Sequence, residues 1–365
     1  MSSLTPSEHE RVLDLVRDLV APRLGAAQAQ PLVTALELHA ETAEAEGHLR
    51  HGVNPPRADR DRAWDEARGS AYFKTENAGA VHLELGTFTT FPDERVAELI
   101  AGDGLAEFLR LDFDRHYGPD LVADVTALPI GNATIDRVAS NSLFEHVAYP
   151  HRIIEESFRV LRPGGVMEVI MPFVWKRHGY PHDYVRLTPQ FFERVCRETG
   201  FAEVVVDDDG CSGLYNTLHN AAKMAAVRHD DPAADALRAV HEAVIVLLGT
   251  LIPADRHFED DARQWFHSVR VVATKPGTYE PSRRARDTSR PLIERVTDLL
   301  ADPQTKAPLA YDGRRDRLVC TFSGMSYAVA DGIALFTEPR QLERPRTPVA
   351  ERLRATAQRA RQRLR

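Results

Sequence analysis

The chain of 365 residues contains only three cysteines, Cys196, Cys211 and Cys320. An odd and scattered set supplies neither a disulfide framework nor a four-cysteine zinc site, and it fits a reducing compartment. No run of about 18 apolar residues occurs, so no membrane-spanning helix is expected. The opening MSSLTPSEHERV lacks the charged-then-apolar plan of a secretory signal, and the expected location is cytoplasmic. An excess of basic residues is missing too. The net charge is −8 at pH 7, which makes the surface a poor general match for nucleic acid. What is present is ordinary for a globular protein: 43% hydrophobic and 27% charged residues, in a chain long enough for more than one core.

Along the chain, TPSE at 5–8 is a capping box with Pro6 at the first helical position, followed by apolar residues at helical spacing. A second helical pattern covers 30–47, so residues 1–75 read as a helical extension. From 80 onward, short apolar runs alternate with amphipathic helical ones, the pattern of βαβ units on a parallel sheet. The expected strands are VHLEL, AEFLRLDF, PDLVADV, DRVASN, VMEVIMPF, FAEVVVDD and SVRVVATKPG. Helices are expected over about 150–161, ending at RPGG, and over 189–199, ending at Gly200. A helical insertion over 214–265 is expected to act as a lid. Residues 76–278 then form an α/β doubly wound domain, 279–290 a linker, 291–340 a small separate β-rich domain, and 341–365 a basic tail.

The stretch VHLELGTFTTFPDE, 81–94, opens like a nucleotide-binding βα turn, with an apolar run, Glu84, and Gly86 at the strand end. The next glycine of such a turn is absent, and Phe88 stands in its place.

The stretch from Leu109 to Phe173 carries an acid closing strand two, an Asp after strand three, "LP" before a loop, Asp136 opening strand four, an EH pair, and LRPGG before strand five. In that order these features resemble the central half of class I S-adenosylmethionine-dependent methyltransferases, and the likeness extends over roughly 80–277. The resemblance implies a Rossmann-like fold with S-adenosylmethionine as cofactor. It also implies Asp112 as the carboxylate for the ribose hydroxyls, with Asp114 as its neighbour, and Asp124 with the Val125 backbone at the adenine amino group. Asn141 and Ser142 would position the methionine moiety or the acceptor. Glu84, Gly86 and Thr87 complete the cofactor set, with the threonine hydroxyls and helix-start N–H groups holding the carboxylate where glycine is missing; the alternative is that Phe88 fills the cofactor's space and the activity is lost or changed. His146 is a candidate general base, against the alternative that the EH pair caps and packs a helix. RHGYPHDYVRLTP resembles a subgroup segment following strand five. Its His178, Tyr180, His182, Asp183, Tyr184 and Arg186 read as a substrate-recognition loop, with His178, His182 and Tyr184 as catalytic candidates. The spacing of His178, His182 and Asp183 also permits metal ligation, but no metal is assigned.

DPQTKAPLAYDGRRDRLVCTFSGMSYAVADGIALFTEPRQL is similar to the small zinc-ribbon-like proteins that activate tRNA, ribosomal and translation-factor methyltransferases. The usual first Cys-x-x-Cys is here Asp302 to Thr305, so no zinc is expected. The arginine-rich tail reads as a solvated helix, with an anion or RNA contact as the alternative. Asp207, Asp208, Asp209, Asp230, Asp231, Glu259, Asp260 and Asp261 would repel a phosphate backbone if they ring the mouth of the site. The expectation is therefore methyl transfer to an O, N or C nucleophile of a small metabolite. The alternatives are a non-catalytic scaffold on the same fold, or an RNA or protein methyltransferase. A homo-oligomer is compatible with the sequence, and a membrane partner is not expected.

Overall fold

The computed structural model describes residues 79–86, 104–178, 182–207, 213–225, 265–280 and 289–341, with single positions among 14–17, 241–252 and 282–287. The predicted N-terminal helices, Thr87 and Phe88, Tyr180, most of the predicted lid and the basic tail lie outside the described residues.

Strand β1 (Val81–Leu85) is buried at all five positions, including the polar His82 and Glu84. A strand buried on both faces belongs in the middle of a covered parallel sheet. β1 pairs in parallel with β2 (Glu107–Asp112) on one side and with β4 (Ile135–Asn141) on the other. β3 (Leu121–Val122) follows β2, and β5 (Leu161–Pro172) follows β4, both in parallel. β7 (Ser268–Thr274) inserts antiparallel between β5 and β6 (Glu203–Asp207). The chain thus builds outward from β1 in one direction, returns through β4, and builds outward in the other, as the sequence pattern predicts for a doubly wound sheet.

Helix α1 (His151–Val160) buries Ile153, Ile154, Ser157 and Val160, a one-sided stripe at helical spacing. Arg159 fixes its end by bonding Glu156, the carbonyls of Leu128 and Ile130, and Asn132. The helix stops where expected, but RPGG lies inside β5 and does not precede it. Its two glycines serve close approach: a Cβ on Gly164 would fall 2.5 Å from the Tyr279 backbone, and one on Gly165 would fall 2.9 Å from the Asp136 carbonyl. Helix α2 (Pro189–Thr199) starts with proline at its first turn and ends at Gly200, whose φ is 115°. Helix α3 (Leu214–Met224) lies within the predicted insertion.

The C-terminal segment departs from the expectation of a separate unit. β11 (Ile333–Gln341) pairs in parallel with β3, and β10 (Met325–Ala330), β9 (Arg317–Val319) and β8 (Ala310–Asp312) follow, giving one eleven-stranded sheet. The predicted linker is also tied down: the Ser282 N–H donates to Asp136 at 3.2 Å, and Arg284 pairs with Asp298. Short helix α4 (Leu292–Val296) carries Arg295, which forks onto the buried Glu107 of β2 with two 2.8 Å bonds. Lys306 reaches Glu156 of α1 at 2.8 Å. The β3 edge is therefore covered from within the chain, which protects it from pairing elsewhere. Inside this segment, Asp302 is fully buried and accepts bonds from the Gln304 and Thr305 N–H groups, the Ser323 hydroxyl and the Tyr327 hydroxyl. Hydrogen bonding thus closes the loop from Asp302 to Thr305.

Two outcomes follow. Because one sheet and one buried ion pair join the segments, 291–341 should unfold together with the rest of the sheet. Arg295→Ala leaves Glu107 buried without its cation, at a cost of about 3 kcal/mol. Urea unfolding followed by a probe in each segment should show coincident transitions, shifted together by the substitution. His82 provides the second: burial, aided by Arg137, depresses its pKa to about 3, so the unfolded chain binds the proton first as pH falls. Its contribution to stability is complete above pH ~6.5 and is lost between there and about 3. Relative to His82→Leu, the wild type should lose up to about 1.4 kcal/mol of stability per pH unit on acidification from pH 6.5. Equilibrium unfolding of both proteins at several pH values measures it.

Candidate active site

The register of the central strands sets the site. Leu85 is level with Leu111 of β2 and Ser140 of β4, so the next residues, Gly86, Asp112 and Asn141, emerge together at the carboxyl edge. The Gly86 N–H bonds the Leu111 carbonyl at 2.9 Å, and its φ of 81° is a conformation only glycine adopts without strain. A Cβ there would meet the Leu143 side chain at 3.2 Å. Asp112 is buried at the end of β2, and one of its oxygens accepts the Asp114 N–H at 3.0 Å. Glu84 is buried one turn of the pleat below Gly86.

The other predicted acids are placed differently. Asp114 caps the short helical turn Arg115–Tyr117 and bonds the His116 backbone and ring. Its carboxylate is held below the usual range by those bonds to His116. Asp124 is exposed, with one oxygen taken by the Thr126 N–H and hydroxyl at 2.8 and 2.7 Å, while Val125 is buried. Asn141 is half-buried at the end of β4.

Beyond β4 the chain turns sharply. Ser142 takes a φ of 53°, unusual for a residue with a side chain, and its N–H bonds the Ile170 carbonyl at 2.9 Å. Local strain of this kind needs surrounding structure to hold it. It directs the turn Phe144–His146, which presents Glu145 and His146. Glu145 is fully buried, and among the described residues neither carboxylate oxygen has a hydrogen-bond partner. Burial raises its pKa to about 7. His146 Nε2 and His178 Nε2 each lie 3.8 Å from Glu145 Oε1. The two rings stack edge to face at 4.7 Å. His146 Nδ1 donates to the His182 carbonyl at 2.6 Å, which leaves Nε2 as the acceptor nitrogen of the neutral ring. Burial lowers the pKa of His146 and so favours that neutral form.

The loop of 182–188 holds this group in place. The Tyr184 N–H donates to the Glu145 carbonyl at 2.7 Å, whereas its ring is half exposed. Arg186 grips Asp183 with both nitrogens, and the Asp183 carboxyl is driven down to about 2 by that guanidinium. Asp183 also accepts the His178 N–H at 3.0 Å. Of the four catalytic candidates, His146 and His178 come together. His182 and Tyr184 contribute backbone groups, with their rings paired at 5.4 Å toward solvent. The ligand set that the spacing permits, His178, His182 and Asp183, is not assembled, because Asp183 is committed to Arg186 and His182 offers its carbonyl. Glu145 completes the cluster instead. No linear signal joins it to His178, since all of β5 lies between them.

Residues 83–169 match the family model of a methyltransferase domain. The chain carries a methyltransferase domain of the S-adenosylmethionine-dependent class. It is 29% identical over 141 residues to a malonyl-[acyl-carrier protein] O-methyltransferase of Methylococcus capsulatus, covering 36% of this chain and 51% of that one, about half the relative's length. Over 47 residues it is 45% identical to a UPF0434 protein of Saccharophagus degradans, 13% of this chain and 75% of that one, so it also carries a segment of that family. Among solved structures, Haemonchus contortus phosphoethanolamine N-methyltransferase 2 with S-adenosyl-L-methionine aligns at 14% identity and a TM-score of 0.38, over 60% of this chain and 53% of that one.

The residues at the strand ends fit the cofactor of this class. Gly86 leaves a cradle that a side chain would fill, and the buried Asp112 carboxylate suits a pair of vicinal hydroxyls, each through a charge-assisted bond. Asp112→Ala should weaken S-adenosylhomocysteine binding about a hundredfold, the worth of two such bonds at roughly 1.5 kcal/mol each. Asp114→Ala, at an exterior cap, should change it far less. Calorimetric titration of both variants tests the assignment.

Proposed function

We propose that the protein transfers the methyl group of S-adenosylmethionine to an O, N or C nucleophile of a small metabolite. The observation that carries this reading is the convergence of Gly86, Asp112 and Asn141 at one edge of the parallel sheet, within the stretch that matches the methyltransferase domain model. When bound, the cofactor supplies an electrophilic methyl on a sulfonium. The chain's own residues do the rest. Asp112 would hold the ribose, Asp124 and the Val125 backbone the adenine side, and the Gly86 turn with Asn141 the amino-acid end. Methyl transfer is an in-line displacement, so fixing donor and acceptor in line within a closed site supplies much of the acceleration.

The acceptor side of the site is the turn 144–146 with the loop 182–188. Both grow from strand ends at the same edge, and the strained Ser142 directs one toward the other. A small acceptor agrees with the acidic net charge of the chain, which does not favour holding a run of phosphates.

The UPF0434 likeness spans about as many residues as the C-terminal segment that continues the sheet. We assign it there, as a built-in counterpart of a separate supporting subunit. In this reading the segment braces β2 and β3, and so the strand end that bears Asp112, through Glu107 and Arg295.

Purified protein should bind S-adenosylmethionine or S-adenosylhomocysteine in the micromolar range, roughly −8 kcal/mol. With labelled cofactor, it should pass label to a fraction of small metabolites. Label appearing in bulk RNA in a salt-sensitive way would contradict the small-acceptor reading. Absence of any heat or thermal shift at millimolar ligand would contradict the cofactor reading and favour a scaffold role.

A further inference from the structure

The cluster of Glu145, His146 and His178 poses a chemical problem that the cofactor site does not solve. A fully buried carboxylate with both oxygens lacking hydrogen-bond partners among the described residues is costly. Here it faces two imidazole nitrogens at 3.8 Å each, too far for a hydrogen bond to either. One ligand atom from each of the three residues can be chosen so that all lie within 4.8 Å of one another. Metal bonds of about 2.1 Å place ligand atoms roughly 3–4 Å apart, so the widest spacing needs to close by about 1–2 Å, a shift side-chain rotation can supply.

The outer contacts of the two rings point the same way. His146 Nδ1 donates to the His182 carbonyl, and His178 Nδ1 lies 3.2 Å from the Lys176 carbonyl and 3.5 Å from the Asp183 carboxylate. Hydrogen bonding at Nδ1 fixes the tautomer with the lone pair on Nε2, and in both rings Nε2 is the atom turned toward Glu145. This is how ligating histidines are oriented from behind. Asp183 is itself fixed by Arg186, so the support is rigid.

We propose that Glu145, His146 and His178 bind one divalent first-row transition ion, of the zinc, iron(II) or manganese type, at the acceptor side of the active site. Two imidazoles and one carboxylate suit these ions better than magnesium or calcium, which prefer all-oxygen shells. Three protein ligands leave positions open for an oxygen of the acceptor. The ion would therefore orient a hydroxyl or carboxylate acceptor toward the methyl donor. Ion binding itself does not depend on the methyltransferase reading. Only the ion's role rests on that reading.

The test uses the full chain stripped with chelator and titrated with cobalt(II), followed by visible absorption, and with zinc in competition with a chromogenic chelator. One ion per chain is expected. Glu145→Gln and His178→Ala should each weaken binding by at least about tenfold. His182→Ala should leave it unchanged, because only its backbone carbonyl is used. Circular dichroism confirms that each variant is folded, and His146→Gln provides a third ligand variant should one of the others fail to fold. No ion bound by folded wild type at micromolar zinc would overturn the proposal, as would binding that survives loss of His178 or depends on the His182 ring. Calorimetry with S-adenosylhomocysteine on the same metal-free protein reads the cofactor site separately, so failure of one claim is distinguishable from failure of the other.

Discussion

The buried carboxylate of Asp136 is the joint on which the rest of the structure depends. It sits at the start of β4 and accepts the Val81 N–H of β1 at 2.8 Å and the Ser282 N–H at 3.2 Å, with Arg162 3.8 Å away. Burial opposes its ionisation, and those contacts favour it. By fixing the amino ends of β1 and β4 in one register, it fixes their carboxyl ends as well, because a one-residue slip would turn every side chain of a strand to the opposite face. The alignment of Gly86 with Asn141 at the far edge is a consequence of a contact made at the near edge. The same residue gathers the segment after β7, which carries the chain across to its C-terminal strands.

Those strands change how the cofactor side of the site is supported. β3 has only two paired residues and would make a weak edge alone. β11 lies against it, and Arg295 neutralises Glu107 at the start of β2, so the strand that ends in Asp112 is clamped at both ends. The proposed acceptor side is built by other means: the left-handed Ser142, the turn that follows it, and a loop whose Asp183–Arg186 pair and backbone N–H groups hold Glu145 and His178. One half of the site is thus set by the sheet, and the other by hydrogen bonds between two loops.

Much of this is legible from residue patterns. The alternation of apolar runs and amphipathic stretches locates β1, β2, β4, α1 and α2 within a few residues, since burial imposes those periods directly. Pro189 and Gly200 mark the ends of α2 through backbone geometry. RPGG misleads because a glycine pair reads as a stop, while here the glycines let β5 pass close to the Tyr279 and Asp136 backbones. The continuation of the sheet into 291–341 leaves no local mark: the β3–β11 contact joins residues more than 200 positions apart through two pairs. His178 was legible as a polar loop residue, but its partner was not, because the tertiary turn after β4 and no linear spacing brings Glu145 to it. Asp112 is expected at the ribose with Asp114 as its neighbouring rival, and the fold separates them, burying the first at a strand end and setting the second on a helical cap.

The carboxyl edge of β1, β2 and β4 is proposed to hold S-adenosylmethionine, with Asp112 at the ribose. A crystal structure of the protein with S-adenosylhomocysteine tests it most directly. Both ribose hydroxyls should lie within about 3 Å of the Asp112 carboxylate, with the amino-acid end against Gly86. A ligand bound elsewhere, or that edge filled by the Phe88 ring with no ligand at saturating concentration, would contradict it.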